Sequence, residues 1–112
     1  MSPGLSLIKK EGDFKSFRQS RSAFSPLLKI RWVVTNANEP RFGFIVPKKI
    51  MPKVVDRNLS KRRIKGVLLK FRGKIMPADF LIFPSNKSIK VSSKVLEEDI
   101  KSLFQRMRLW KD

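Results

Sequence analysis

The chain has 112 residues, enough for one domain with a modest core, and its 41% hydrophobic content argues against wholesale disorder. It contains neither cysteine nor histidine, which excludes disulfides, thiolate metal sites, the usual zinc sites and the common nucleophile–base pairs. Its net charge of +17, from 26 Lys and Arg against nine acids, indicates an anionic partner, and nucleic acid is the typical partner of a small basic domain.

The N-terminal segment, residues 1–10, has no helical or strand period, and it contains proline and glycine. We expect it to be a flexible arm. The remaining residues, 11–112, then form a single domain, and its charge predicts that it binds nucleic acid.

A short helix is predicted next, over residues 11–18, because Phe14 and Phe17 recur three positions apart. Two interpretations of these rings stay open. They either pack in the core or stack on single-stranded bases beside Lys15 and Arg18.

Two stretches of alternating hydrophobicity follow a loop at residues 20–26, where serine and proline interrupt any regular pattern. The alternation predicts strands over residues 28–36 and 41–47. Because the turn between them is short, we predict an antiparallel hairpin. The inward-facing side chains would be Leu28, Ile30, Trp32, Val34, Phe42, Phe44 and Val46.

The most informative stretch runs from Asp56 to Lys74 and predicts one amphipathic helix that begins near residues 54–56 and ends near Gly73. At about 100° per residue, its apolar stripe is Ile64, Val67, Leu68 and Phe71. The adjoining sector carries one amide and four cations, which are Asn58, Lys61, Arg62, Lys65 and Arg72. A solvated face normally mixes signs, whereas this helix has no acid after Asp56. The pattern therefore predicts a surface for a polyanion.

The last two elements are a strand and a helix. The apolar run at residues 79–84 is typical of a strand covered on both faces, and a helical connection makes it a parallel neighbour of the preceding strand. Ser92 or Ser93 can cap a final helix. The apolar stripe of that helix would be Leu96, Ile100, Leu103, Phe104 and Met107. The order α-β-β-α-β-α predicts a small α+β fold, one sheet with helices packed on it.

The acidic residues do not predict catalysis by the protein. Only Glu97, Glu98 and Asp99 cluster, and they fall at a predicted helix start, where acids favour the helix dipole. A two-metal nuclease site needs carboxylates that converge from several elements. We expect no catalytic residue and no metal site in the protein itself. The sequence also has no long apolar run, secretory signal or lipidation motif, so we expect a cytoplasmic location without membrane contact.

Residues 41–49 and 54–65 resemble the bacterial ribonuclease P protein family. They read R-F-G-F-I-V-P-K-K and V-V-D-R-N-L-S-K-R-R-I-K. The family pattern is a strand R-x-G-F-x-V-x-K-K followed by a helix that opens R-N-x-x-K-R-x-x-R. The matching residues are Lys48 and Lys49 at the strand end, then Arg57, Asn58, Lys61 and Arg62 in register. Lys65 stands where the family usually has arginine, which keeps the charge but loses the planar fork.

This resemblance implies a ribonuclease P protein-like fold, of the ribosomal protein S5 domain 2-like type. It also implies the protein subunit of an endonuclease that removes the 5′ leader of precursor tRNA, in which the RNA subunit is the catalyst and works with Mg²⁺. We expect no cofactor on the protein alone. The expected contacts with the catalytic RNA are Lys48, Lys49, Arg57, Asn58, Lys61, Arg62, Lys65 and Arg72. The expected contacts with the leader are Phe14, Lys15, Phe17 and Arg18.

The partners expected from this interpretation are the catalytic RNA and the precursor leader, without DNA or membrane, and the free protein is expected to be a monomer. The main alternative is a non-enzymatic RNA-binding or ribosomal-type protein, which shares the size and charge. A membrane-surface or DNA-binding module is a third interpretation. Leader cleavage after reconstitution with RNA and Mg²⁺ separates the first interpretation from the others.

Overall fold

The computed structural model describes residues 6–7, 20–35 and 38–111. These residues form five strands and two α-helices, with 3-10 turns at Arg72–Lys74 and Asn86–Ile89. In chain order they are β1 (Ser6–Leu7), β2 (Arg21–Phe24), β3 (Leu28–Val33), β4 (Arg41–Phe44), α1 (Val54–Lys70), β5 (Asp79–Pro84) and α2 (Ser93–Arg106). The predicted α+β fold, with one sheet and helices packed on it, is confirmed.

The strands form one mixed sheet in the order β1-β4-β5-β3-β2. β4 runs parallel to both β1 and β5, whereas β3 is antiparallel to both β5 and β2. The predicted parallel pairing of β4 with β5, joined through α1, is confirmed. The predicted hairpin of β3 with β4 is wrong, because β5 lies between them. β5 is apolar on both faces, and the centre of the sheet is where a strand of that kind buries most surface.

The hairpin partner of β3 is β2, which falls inside the segment predicted as a loop. That prediction is wrong for Arg21–Phe24, because Ser22 lies within this strand and only Ser25 and Pro26 belong to the turn after it. Ser25 closes the turn: its N–H donates to the Leu28 carbonyl at 2.9 Å, and its Oγ accepts from the Leu27 N–H at 3.1 Å.

The structure describes only part of the N-terminal region for which the sequence made predictions. Ser6–Leu7, within the segment expected to be a flexible arm, pairs with Arg41 and Phe42 as β1. The predicted helix at residues 11–18 lies outside the described residues.

One continuous core lies between the sheet and the two helices. The Phe80 ring stacks on Phe42 and meets the edge of Phe104, each with centroids 5.2 Å apart. The predicted stripes of both helices are confirmed, with Phe71 half-buried. Val34 is exposed, contrary to prediction, because β3 ends at Val33. Neither α1 nor α2 has the length and apolar composition needed to cross a membrane.

An ion pair between a partly exposed arginine and a buried aspartate joins the parallel strands β4 and β5 in register. Arg41 and Asp79 are direct partners at the start of β4 and β5. The guanidinium donates to both carboxylate oxygens, at 2.8 and 2.6 Å, in the bidentate geometry that arginine forms best. Asp79 is 2% exposed, so its charge depends on this partner for compensation.

We predict that Asp79→Asn lowers the free energy of unfolding by about 1–3 kcal/mol, because a charge-assisted bidentate contact at a buried position is lost and the Arg41 guanidinium keeps only a neutral acceptor. Urea denaturation measures this loss. Glu98→Gln, an exposed substitution of the same chemistry, is the control and should change stability by less than about 0.5 kcal/mol. Equal effects in the two variants would contradict a stabilising role for the pair.

Candidate nucleic-acid interface

The orientation of α1 is fixed by its buried face. Ser60, Ile64, Val67 and Leu68 pack into the core, and the Ser60 hydroxyl is satisfied by donating to the Arg57 carbonyl at 2.9 Å. Asp56 lies in the first turn, where a negative charge is favourable near the helix N-terminus. Burial of this face leaves two flanks of the helix, one on each side of it.

The flank toward α2 uses its cations within the fold. Arg63 donates to the Ser88 carbonyl at 2.8 Å and also to the Val91 carbonyl. Lys70 forms an ion pair with Glu97 at 3.0 Å. Sequence reasoning missed the structural role of Arg63, because its acceptors are backbone carbonyls and a side-chain pattern does not reveal them.

The opposite flank lies beside β4 and carries the predicted binding residues. We call it the basic flank, and it consists of Asn58, Lys61, Arg62 and Lys65. These positions are three or four apart, so they project from one side of the helix. Lys65 Nζ lies 5.6 Å from the centre of the Phe44 ring, which places the flank next to the sheet. None of the described acidic side chains forms an ion pair with these cations.

Arg57, which the sequence placed with the binding residues, holds the segment that leads into α1. Its Nη1 donates to the Met51 carbonyl at 2.8 Å and to the Pro52 carbonyl at 3.0 Å. The Met51 side chain is fully buried. Arg57 therefore joins the first turn of the helix to its preceding loop, and its contact with RNA stays a prediction.

Lys48 and Lys49 lie in a turn between β4 and α1. The Pro47 carbonyl accepts from the N–H groups of Ile50 and Met51, at 3.0 and 3.1 Å. Both lysines are exposed, and they extend the basic surface beyond the first turn of the helix.

Arg72 lies beyond α1 rather than within it. The predicted helix end near Gly73 is wrong, because α1 stops at Lys70 and Arg72 belongs to the 3-10 turn that follows. The Lys74 N–H donates to the Phe71 carbonyl at 2.7 Å, which tightens this last turn. Arg72 is nevertheless exposed.

The carboxylates near the helices serve structural contacts. Asp99 accepts a hydrogen bond from the Ser25 hydroxyl at 2.5 Å, and Glu97 pairs with Lys70. Across the described ranges, no group of three or more acidic residues could hold a metal ion. The described residues thus supply cations and amides for binding but no carboxylate cluster.

The predicted leader residues Phe14, Lys15, Phe17 and Arg18 lie outside the described residues. The second face of the sheet, away from the helices, is described, and there Leu81 packs with Val33, Ile45 and Phe83. Lys29 Nζ lies 5.7 Å from the centre of the Phe83 ring. An open pocket of about 330 Å³ adjoins this pair and is lined also by Pro47 and Ile50.

Sequence reasoning did not select this pocket. The alternating register of residues 79–84 indicated a second apolar face, but only the sheet order brings Lys29 of β3 beside Phe83 of β5. Pairing of these strands could not be predicted once β3 was assigned to a hairpin with β4.

Comparison with known proteins gives a consistent result. The family model for ribonuclease P matches residues 3–108. The ribonuclease P protein component of Vibrio cholerae is 31% identical over 103 residues, which cover 92% of this chain and 87% of the relative. The component from Synechococcus elongatus is 24% identical over 99 residues, covering 83% and 81%.

Solved structures show the same fold. The Staphylococcus aureus RNase P protein superimposes with a TM-score of 0.82 at 18% identity, covering 94% of this chain and 97% of that one. The Thermotoga maritima RNase P protein gives a TM-score of 0.80 at 20% identity, covering 90% and 96%. At 18% and 20% identity, the structural similarity is evidence for a shared fold.

We predict that Arg57→Ala lowers the free energy of unfolding by about 1–3 kcal/mol, because the Met51 carbonyl loses its donor near a buried side chain. Arg62→Ala removes an exposed cation of the same helix and should change stability by less than about 0.5 kcal/mol. Thermal or urea unfolding measures both. If Arg57→Ala were as stable as Arg62→Ala, Arg57 would have no structural role.

Proposed function

Because the chain belongs to the ribonuclease P protein family, and so is the protein subunit of the ribonucleoprotein that matures the 5′ end of tRNA, we propose that its basic flank binds the RNA subunit. The main observation that supports this proposal is a difference in how the cations on the two flanks of α1 are paired. Toward α2, Arg63 and Lys70 are matched by protein acceptors. Toward β4, the cations face no described acid.

The unmatched cations cost the free protein stability. Lys61 and Lys65 are one helical turn apart, where like charges repel, and the whole chain adds self-repulsion from its net charge of +17. RNA phosphates that settle against this flank would remove the repulsion. The proposal therefore explains why one side of the helix has no acid while the other side has its cations paired.

Each residue type on the basic flank suits a different contact. Arg62 can hold a phosphate with two parallel N–H groups, whereas Lys61 acts as a point charge. The Asn58 amide can donate to a phosphate or a sugar. Lys48 and Lys49 extend the same surface past the helix start, and Arg72 extends it past the helix end. Contacts of this kind fix the position of an RNA without reading its sequence.

We further propose that the RNA subunit, with Mg²⁺, performs the cleavage. The absence of histidine and cysteine from the sequence, and the structural use of Asp79, Glu97 and Asp99, support this division of work. Mg²⁺ supplies charge stabilisation and an activated water when it is bound among RNA phosphates. The protein's part is to hold RNA, in the cytoplasm and as a monomer.

The 5′ leader of precursor tRNA is the proposed second ligand. Phe14 and Phe17 would stack on unpaired bases, and Lys15 and Arg18 would neutralise their phosphates. The second face of the sheet supports a single-stranded ligand, because Lys29 and Phe83 already combine a cation with an aromatic ring there. Leader binding on this side would leave α1 on the other face for the RNA subunit.

Reconstitution with a bacterial ribonuclease P RNA and Mg²⁺ tests the function. We predict that the protein supports removal of the precursor leader at moderate salt, and that Arg62→Glu, Lys65→Glu weakens RNA binding at least tenfold. The slope of log K against log salt should fall by roughly 0.7–0.9 for each phosphate that the variant no longer neutralises.

A charge-matched control isolates the basic flank. Lys90→Glu, Lys94→Glu makes the same charge change at exposed positions before and in the first turn of α2, and it should bind RNA more tightly than the flank variant. Equal weakening of RNA binding by the two double variants would show that the effect depends on net charge and not on the position of the cations. RNA binding without any leader cleavage would instead favour a ribosomal-type RNA-binding protein.

A separate prediction concerns the leader. Phe14→Leu, Phe17→Leu keeps apolar volume but removes the aromatic rings, so it should lower the preference for precursor over mature tRNA by about threefold to tenfold, given the usual worth of base stacking. Competition binding by the reconstituted enzyme measures the preference. If a stable variant kept the same preference for precursor over mature tRNA, both rings would be assigned to core packing and not to base stacking.

A further inference from the structure

We propose that the end of the chain forms a second RNA contact, which binds phosphates of a folded RNA beside the C-terminal end of α1. We call it the C-terminal platform, and it consists of Lys74, Lys101, Arg108, Trp110 and Lys111. The proposal rests on the proposed function only in taking RNA as the partner. Nothing in the family motif at residues 41–65 includes these positions.

Backbone pairing brings the platform together from distant parts of the chain. Ile75 and Trp110 form an antiparallel bridge. On one side of it the Met76 N–H donates to the Leu109 carbonyl at 2.9 Å, and on the other the Lys111 N–H donates to the Lys74 carbonyl at 2.6 Å. Lys74 and Lys111 are therefore neighbours, and both are exposed.

Aromatic packing makes the platform rigid. The Trp110 ring meets the edge of Phe71, with centroids 4.9 Å apart, and so anchors the tail to the end of α1. Lys101 of α2 places its Nζ 5.5 Å from the centre of the same ring. Because cation–π contact restrains a flexible lysine, the ammonium group of Lys101 is held beside the tail before any ligand binds.

Arg108 is the feature that points most directly to a ligand. It has a φ of 61°, the left-handed conformation that follows a helix end, where glycine is the usual residue. The Leu109 N–H donates to the Phe104 carbonyl at 3.0 Å, which completes this helix-ending motif. The Arg108 N–H also donates to the Gln105 carbonyl at 3.0 Å. These backbone bonds would form equally with glycine, whereas arginine here adds strain, and its exposed side chain forms no ion pair with a described acid. Retention of its charge for a partner is the explanation that we propose.

The charge of the platform favours a polyanion. Lys74, Arg108 and Lys111 form no ion pair with any acidic side chain that the structure describes. Glu97 and Glu98 lie about one turn before Lys101, and Glu97 is already paired with Lys70. Phosphate groups would neutralise the remaining cations. A lipid surface is less suitable, because Trp110, the aromatic side chain here, is partly buried against Phe71 and lies beside Lys101 instead of projecting freely for insertion.

Arg108→Gly gives a test in which binding and stability should move in different directions. Glycine relieves the left-handed strain, so the melting temperature should stay the same or rise by up to about 5 °C. Affinity for a transcribed bacterial ribonuclease P RNA should fall by about threefold to tenfold. The salt slope should fall by roughly 0.7–0.9, which corresponds to one phosphate contact.

Two further variants serve as controls. Arg108→Lys keeps the charge and should bind the RNA within about twofold of the parent. Lys94→Gln removes an exposed cation about 20 Å away along α2 and should leave the affinity nearly unchanged. If Arg108→Gly lowered the melting temperature, Lys74→Gln, Lys111→Gln would test the same surface without altering a left-handed residue, and it should also weaken binding.

RNA binding by the platform variants and by the flank variant distinguishes the two proposed surfaces. Normal RNA binding by Arg108→Gly and by Lys74→Gln, Lys111→Gln, alongside weak binding by Arg62→Glu, Lys65→Glu, would overturn the platform and leave the basic flank intact. Weak binding by all three supports both surfaces. If the platform variants lost binding to vesicles of anionic phospholipid but kept normal RNA binding, the assignment of the platform to RNA would be overturned.

Discussion

Burial of one face of α1 against the sheet is the constraint on which the interface depends. Ile64 and Leu68 are fully buried, and the Phe42–Phe80 stack lies in the same core. Because α1 connects two neighbouring parallel strands, its position over the sheet is determined by the β4–β5 pairing that Arg41 and Asp79 lock in register. Rotation of the helix would expose these apolar side chains, so the direction of each flank is fixed by packing and not by charge.

Charge then determines what each flank does. A protein with a net charge of +17 has too few acids to neutralise its cations, and the fold uses several of them where they also join elements. Arg57 joins α1 to the preceding loop, Arg63 joins it to the segment before α2, and Lys70 joins the two helices. The remaining surface cations repel one another, and salt screens that repulsion in the free protein while it weakens binding to RNA. The same charges therefore lower the stability of the isolated chain and raise its affinity for a polyanion.

Sequence periodicity predicted the parts of this structure that depend on local geometry. The stripes of α1 and α2 and the Ser92 cap, whose side chain accepts from the Val95 N–H, follow from spacing along one helix. The order of strands does not, because nothing in the pattern of β3 distinguishes β4 from β5 as its partner. The acceptors of Arg57 and Arg63 are main-chain carbonyls, so their structural roles were not predictable from residue types. The platform was missed because it depends on a bridge between Ile75 and Trp110, which are far apart in the chain.

Lys65 shows how a side chain of the sheet can restrain a cation of the helix. Arginine at this position would offer a planar fork that loses little freedom when it binds a phosphate, whereas lysine loses more. In this chain the Phe44 ring lies 5.6 Å from the ammonium group and restrains it at the edge between α1 and β4. Lys101 of α2 is held in the same way beside the Trp110 ring. Pre-ordering of a flexible cation by an aromatic ring would reduce the entropy cost of binding RNA, so on both proposed surfaces the aromatic side chain would raise affinity without touching the ligand.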